Sequence, residues 1–376
     1  MSPAPTGPRP RVAIAHDYLT QRGGAERVVL AMARAFPDAR IHTTLYDPDA
    51  TYPEFADHDV VTSPLNRVGP LRRDHRVALP FLAPAASRMA VDADVVLVSS
   101  SGWAHGFRHT GRSLVYCYSP ARWLYQTDTY LGGAPHRSPR GLALLALRPV
   151  LRRWDLRAAR ASTRYLAISR VVQGRIRATY GLESQVVPAP HSMDPSAPQE
   201  QVPELADWAE GGFHLVVSRL LPYKNVDVVV EAVRGTSHRL VVVGAGPGRD
   251  ALLATRPDNV RLVSGLSDAQ IRWVYAHSRV LVAPSIEDYG LSPLEAAAFG
   301  RPSLTLRAGG YLDTVVEGVT GLHVDSPDPL LVRAGLDEVE AHPFDPDVLR
   351  AHAATFSEAG FAARLRSEVD ALLADG

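Results

Sequence analysis

Short apolar runs alternate with stretches at helical spacing along this chain, in two successive series. The first series has runs at 11–16, 40–45, 94–99, 113–118 and 164–169, with helical patterns such as 26–36 and 142–161 between them. The second has runs at 213–218, 239–244, 259–265, 279–285, 302–307 and 321–325. Alternation of this kind implies parallel sheets covered by helices. It predicts an α/β chain with two Rossmann-like doubly wound domains, and 376 residues are enough for two cores. Five prolines without periodicity at 188–203 predict an interdomain linker. The expected division is 1–195, 196–355 and a C-terminal helix at 356–376 that packs back on the body. Two such halves face each other across a cleft, and ligands bind at the carboxyl ends of their strands.

Forty acidic residues balance forty basic ones, so nothing marks a general nucleic-acid binder. The single cysteine, Cys117, excludes internal disulfides and cysteine-based metal sites, and it fits a reducing cytoplasm. Residues 1–10 are proline-rich and polar, unlike a signal peptide, and no apolar run approaches the length of a membrane span. Heavy use of Arg, Ala and Pro hints at a GC-rich bacterial genome. Among the forty basic residues there is one lysine, Lys224, five positions after Arg219. An ammonium is a compact point charge and a guanidinium a planar fork, so the pair at a strand-to-helix turn suits a diphosphate. Survival of one surface lysine by drift is the plainer alternative.

The segment from Ser285 to Glu295 follows an apolar run and opens a helix. Ser292 reads as an N-cap, Pro293 as the first helical residue and Glu295 as the returning carboxylate of a capping box. Free amides at such a helix start suit phosphate or sugar, and Gly290 allows close approach to the backbone. Simple capping explains Ser292 and Glu295 but not Glu287, Asp288, Tyr289 and Gly290 at a strand end.

Four segments together resemble one family. Glu287 and Glu295 are similar to the E-x7-E signature of retaining GT-B glycosyltransferases, above all glycosyltransferase family 4. The segments Ser218-Arg219 and Lys224-Asn225 resemble its diphosphate-binding arginine and lysine. The opening from His16 through Gly23, Gly24 and Glu26 resembles its N-terminal glycine loop, and Gly309-Gly310 with 318–321 resembles its closing run. The resemblance implies a GT-B fold with an N-terminal acceptor domain and a C-terminal donor domain. It implies that Arg219 and Lys224 neutralise the leaving nucleoside diphosphate and that Glu287 faces the donor hexose. The amides of Gly290, Leu291 and Ser292, beside Tyr289, would cradle phosphate and sugar hydroxyls. Glu295 would hold the ribose, and Gly23 and Gly24 would approach the diphosphate. The loop with Gly244, Gly246 and Gly248 would border the base. Its proline and G-x-G-x-G spacing argue against a nicotinamide site.

Many relatives carry a histidine where this chain has Tyr118, which is a poor base near neutral pH. His105 is therefore a candidate catalytic group, while Asp17 and Tyr118 are candidates for the acceptor side. Asp47 with Asp49 reads as a proline turn, and Asp92 with Asp94 falls at a strand start, so neither predicts a catalytic metal. No cofactor beyond the donor substrate is expected. The arginines from Arg137 through Arg140 and Arg148 to Arg164 read as the solvated face of a core helix. Peripheral contact with the inner face of a membrane is the alternative.

The resulting expectation is a cytoplasmic, metal-independent hexosyltransferase with retention of configuration. The stretch 116–123 resembles mannosyl-transferring members, which puts GDP-mannose first as donor, with a UDP- or dTDP-hexose as the alternative. The acceptor is a hydroxyl of a glycan, lipid-linked sugar or small molecule. Other readings are a GT-B epimerase or phosphorylase, or a nonenzymatic sugar-nucleotide-binding protein.

Overall fold

A computed structural model of the protein describes residues 10–126 and 139–375, except for the side chains of 139–141 and 143. The polar start at 1–9, Arg137 and the side chain of Arg140 lie outside the described residues. The chain divides into two compact units, Met1–Pro190 with Ala359–Gly376, and His191–Glu358.

The first unit is built on seven strands: β1 Val12–His16, β2 Ile41–Thr43, β3 Val60–Thr62, β4 Val95–Ser100, β5 Arg112–Cys117, β6 Arg164–Ala167 and β7 Ser184–Val186. Their order is β3-β2-β1-β4-β5-β6-β7, and every pairing is parallel. The second unit has β8 Phe213–Val217, β9 Leu240–Val243, β10 Val260–Val263, β11 Ser278–Ala283, β12 Ser303–Leu306 and β13 Gly321–Val324. These run β10-β9-β8-β11-β12-β13, again all parallel. Both sheets are Rossmann-like. In each, the order reverses beside the first strand, between β1 and β4 and between β8 and β11.

All eleven apolar runs read from the sequence form strands within a few residues of the expected limits. The edge strands β3 and β7 were not expected, because three residues each are too few to show a pattern.

Both faces of the second sheet are covered. Val216, Val242, Val280 and Val282 pack with Val229, Val230 and Leu336 on one side. Leu215, Val241, Val243 and Leu281 pack with Trp208, Trp273, Tyr275 and Phe299 on the other. Neighbouring residues thus go to opposite faces, as a pleated strand requires, and burying each such side chain stabilises by about 1.5–3 kcal/mol.

The proline-rich stretch at 188–203 is not a free tether. Arg272 Nε donates to Pro198 O at 2.8 Å, Gln270 Nε2 donates to Glu200 Oε1 at 3.2 Å, and Val202 is buried in the second core. The final helix, Glu358–Ala374, packs on the first unit. There Arg164 meets Glu368 at 3.4 Å, Arg366 Nε donates to Ala35 O at 3.1 Å, and Phe361 meets Tyr116 edge-on. The arginine-bearing helix Pro139–Ala161 buries Leu151, Asp155 and Ala159 while Arg152, Arg153, Arg157 and Arg160 are exposed, the arrangement of a solvated face. Among the described residues no helix is long and apolar enough to cross a membrane.

His75 begins the helix His75–Ala86, where its Nδ1 lies 3.0 Å from Thr20 Oγ1 and its ring stacks on Tyr18 at 4.1 Å. Burial, helped by the charge of Arg76, pushes its pKa down to about 4. The folded state therefore prefers neutral His75 more strongly than the unfolded chain does. This stabilisation is complete above the unfolded value of about 6.5 and is lost as pH falls from there towards 4. His75→Gln is expected to flatten that part of the pH–stability curve, measured as the urea midpoint of wild type against variant between pH 7 and 4.

Candidate active site

In the second unit, the carboxyl ends of β8 and β11 lie side by side where the strand order reverses, which is the usual ligand position in an open α/β sheet. After β8 the chain makes a short turn, Pro222–Lys224, and Asn225 adopts the left-handed conformation at φ 54°. Asparagine tolerates that region better than most residues. Its Nδ2 donates to Pro284 O at 2.7 Å, tying the lysine turn to the end of β11. Lys224 Nζ then forms an ion pair with Glu287 Oε1. Ser285 Oγ donates to the same oxygen at 2.8 Å, and the ammonium sits 5.2 Å from the Tyr223 ring centroid. Both charged side chains are largely covered, at 15% and 18% exposure. Arg219 is exposed.

The helix after this loop is Leu291–Ala298, with Gly290 at its N-cap and no side-chain cap. This corrects the capping box expected from Ser292, Pro293 and Glu295. Leu291 already lies within the helix, and Glu295 Oε2 accepts from Tyr275 Oη at 2.7 Å instead. Among the described residues no side chain caps the amides of Gly290, Leu291 and Ser292, and the helix start is electropositive.

The glycines have packing reasons that the sequence did not reveal. Gly290 has φ 111°, and a Cβ there would lie 2.6 Å from the Tyr311 ring, so tyrosine rather than ligand occupies that space. A Cβ on Gly246 would lie 2.7 Å from Leu220 O, which presses the glycine-rich loop after β9 against the Arg219 turn. A Cβ on Gly310 would lie 2.3 Å from Tyr289 Cα, and the Gly310 amide donates to Glu287 O at 2.8 Å. The Gly309-Gly310 pair is thus the seat on which the Glu287–Tyr289 loop rests. Tyr289 is buried, and burial raises its phenol pKa. Asn225, Ser285 and Tyr311 were not singled out from the sequence. Only Asn225, directly after the lone lysine, carried a readable signal.

In the first unit the expectations for His105 and Asp17 change. His105 is buried inside the unit, with Nε2 at 3.0 Å from Asp155 Oδ1 and Nδ1 at 3.0 Å from Tyr165 Oη. It lies beside Trp154 and Tyr180, so it holds the core rather than meeting a substrate. The buried Asp17 carboxylate accepts from the amides of Ser101, Trp103 and Ala104 at 2.6, 3.0 and 2.6 Å, and from Ser100 Oγ at 3.2 Å. It anchors the loop after β4 and has little capacity left for an acceptor. Tyr118 Oη is shared between Ser99 Oγ at 2.8 Å and Ala25 O at 3.2 Å, and burial raises its pKa.

Ser99 Oγ in turn meets His16 Nδ1 at 3.0 Å, and His16 Nε2 lies 3.9 Å from Glu26 Oε1. Burial opposes the charged form of His16, but Glu26, Asp17 and Ser99 together raise its pKa. Gly23 caps the helix Gly24–Ala35 without a side chain, and a Cβ there would strike Glu26 Oε2 at 2.6 Å. Gly23 thus admits Glu26 to the buried network.

Residues 22–196 match the profile described as Glycosyltransferase Family 4, and residues 204–357 match Glycosyl transferases group 1. The chain belongs to glycosyltransferase family 4. This family 4 chain is 36% identical to glycogen synthase of Pseudomonas aeruginosa over 121 residues, which is 30% of this chain and 24% of that enzyme. It is 29% identical to the D-rhamnosyltransferase WbpZ of the same organism over 178 residues, 44% of each chain. The chain thus spans less than half the length of these curated relatives. Among solved structures, sucrose-phosphate synthase from Thermosynechococcus elongatus matches with a TM-score of 0.71 at 16% identity, covering 97% of this chain and 100% of the other. HepE of Anabaena in complex with UDP-glucose matches at 0.67 and 14%, covering 96% and 100%. These likenesses confirm the GT-B fold.

Gly310→Ala would force the Glu287–Tyr289 loop off its seat without any backbone strain of its own. The family 4 chain carrying it is expected to lose about 1–3 kcal/mol of stability, as overpacking does, read as a lower melting temperature.

Proposed function

We propose that this protein transfers a hexose from a nucleoside diphosphate sugar to a hydroxyl acceptor with retention of configuration. The observation that carries the reading is the Lys224–Glu287 ion pair at the switch point between β8 and β11, in the loop that leads into the helix Leu291–Ala298. The bond from the sugar C1 to the phosphate oxygen breaks, and the bond from C1 to the acceptor oxygen forms on the same face. The acceptor proton passes to the leaving phosphate. Charge builds on that phosphate, and fixed positive groups that need no rearrangement stabilise it most.

Lys224 and Arg219 supply the cations, and the helix start supplies amides, so no catalytic metal is assigned. Glu287 has two tasks in this reading: it holds Lys224 in place and faces the hexose. Glu295 keeps one oxygen beyond its bond to Tyr275 for the ribose.

The donor is a nucleotide hexose. The stretch 116–123 gives less support for mannose than its sequence promised, because Tyr116, Cys117 and Trp123 are buried and Trp123 stacks on Trp103. The UDP-glucose found with HepE supports a UDP-hexose on equal terms with GDP-mannose. The acceptor class remains a glycan, lipid-linked sugar or small-molecule hydroxyl.

Thermal melting with GDP-, UDP- and dTDP-sugars tests the donor, since a ligand that binds only the folded state raises its melting temperature. One nucleotide series should do so, and no shift with any of them would refute the reading. Lys224→Ala should lower kcat/KM by about 100–1,000-fold with an unchanged fold. Lys224→Arg should recover little of this, because a planar fork does not replace a point charge. Near-native turnover of Lys224→Ala would remove the lysine from the mechanism. Incubation with donor alone separates transfer from epimerisation, which would yield an altered sugar nucleotide without acceptor.

A further inference from the structure

The opposite end of the second sheet carries a group of residues that the transfer reaction does not use. His214 is the second residue of β8, His238 precedes β9, and Glu340 lies in the helix Pro329–Ala341. All three belong to the second unit and sit at the amino ends of the strands, away from the Lys224 side. Their polar atoms converge. His214 Nε2 is 3.1 Å from His238 Nδ1 and 3.3 Å from Glu340 Oε1, and His238 Nδ1 is 3.8 Å from Glu340 Oε2.

We propose that His214 Nε2, His238 Nδ1 and Glu340 bind a divalent transition cation, zinc above all. Zinc takes imidazole nitrogen and carboxylate oxygen at about 2.0–2.2 Å in a tetrahedron, which sets neighbouring ligand atoms about 3.3–3.5 Å apart. His214 Nε2 lies 3.1 Å from His238 Nδ1 and 3.3 Å from Glu340 Oε1, and one ligand atom from each residue lies within 4.8 Å of the others, so a turn of the carboxylate brings the group to one face of such a tetrahedron with the fourth position left for water. Nitrogen donors select zinc, copper or nickel over calcium or magnesium.

Three further observations fit a cation there. Asp337 Oδ1 accepts from His238 Nε2 at 2.9 Å, which fixes the proton on Nε2 and turns the Nδ1 lone pair inward. A carboxylate behind a histidine is the usual outer support of a zinc ligand. Glu340 Oε1 is buried and receives no aligned hydrogen bond among the described residues, although His214 and Arg279 are both near. His238 and Glu340 keep 10% and 20% exposure, which gives the ion an entry.

One neighbour opposes the cation. Arg279 Nη1 lies 3.1 Å from Glu340 Oε1, on a side chain 52% exposed that has room to swing into solvent. Its removal should therefore improve binding, an effect that a merely hydrogen-bonded histidine pair would not predict. The three ligands come from positions too far apart in sequence to read as a motif. Bound there, the ion would pin the starts of β8 and β9 to the helix that covers them.

Chelator-stripped full-length protein titrated with zinc by calorimetry, and with cobalt by visible absorption, tests the assignment. One equivalent of zinc should bind, cobalt should give the intense bands of a tetrahedral site, and the melting temperature should rise with zinc. His238→Gln and Glu340→Gln should each weaken binding at least tenfold, and Asp337→Asn about 10–100-fold. Arg279→Ala should tighten it. Melting of each variant without metal reports folding separately. Absence of stoichiometric uptake by the wild type would overturn the proposal, as would wild-type affinity in both His238→Gln and Glu340→Gln.

Discussion

Everything at the candidate active site depends on β8 and β11 being parallel neighbours although β9 and β10 intervene in the chain. Their connections leave the sheet in opposite directions, so the two loops that follow them flank a gap at the carboxyl ends. The Lys224–Glu287 ion pair spans that gap, with Asn225 tied to Pro284 beneath it. An ion pair this covered carries a desolvation cost that its own attraction does not comfortably exceed. Ser285 offsets part of the cost by donating to the same carboxylate oxygen. Such an arrangement is better understood as holding a charge in place than as holding the domain together.

The loop glycines serve the same end. Gly246, Gly290 and Gly310 each sit against protein atoms where a side chain would collide, against Leu220, Tyr311 and Tyr289 respectively. Each close approach presses one loop onto another, and together they stiffen the rim that carries Arg219, Lys224 and Glu287. Rigid support of this kind lets a polar group meet developing charge without first reorganising.

The architecture was legible because it is written in local pattern. Every apolar run taken as a strand is one, since a parallel strand buried on both faces cannot disguise its composition. The edge strands β3 and β7 were missed because three residues set no period. Site residues read less evenly. Lys224 and Glu287 stood out through chemical type, and the structure brings them together. His105 and Asp17 were candidates beside strand ends, yet one pairs with Asp155 and the other holds three amides, partners distant in sequence. The capping box at Ser292 failed because local spacing could not show that Tyr275 would claim Glu295.

The second unit is inserted within the first. The chain enters it at His191 and leaves at Glu358, and these ends are stitched together where the His191 amide donates to Phe356 O at 3.2 Å and its ring reaches Ala353 O at 3.1 Å. The helix that completes the first core is therefore made only after the whole inserted unit. During synthesis the inserted unit can close on itself while the earlier half still waits, with Arg112, Tyr116 and Arg164 uncovered, for its final helix to emerge from the ribosome.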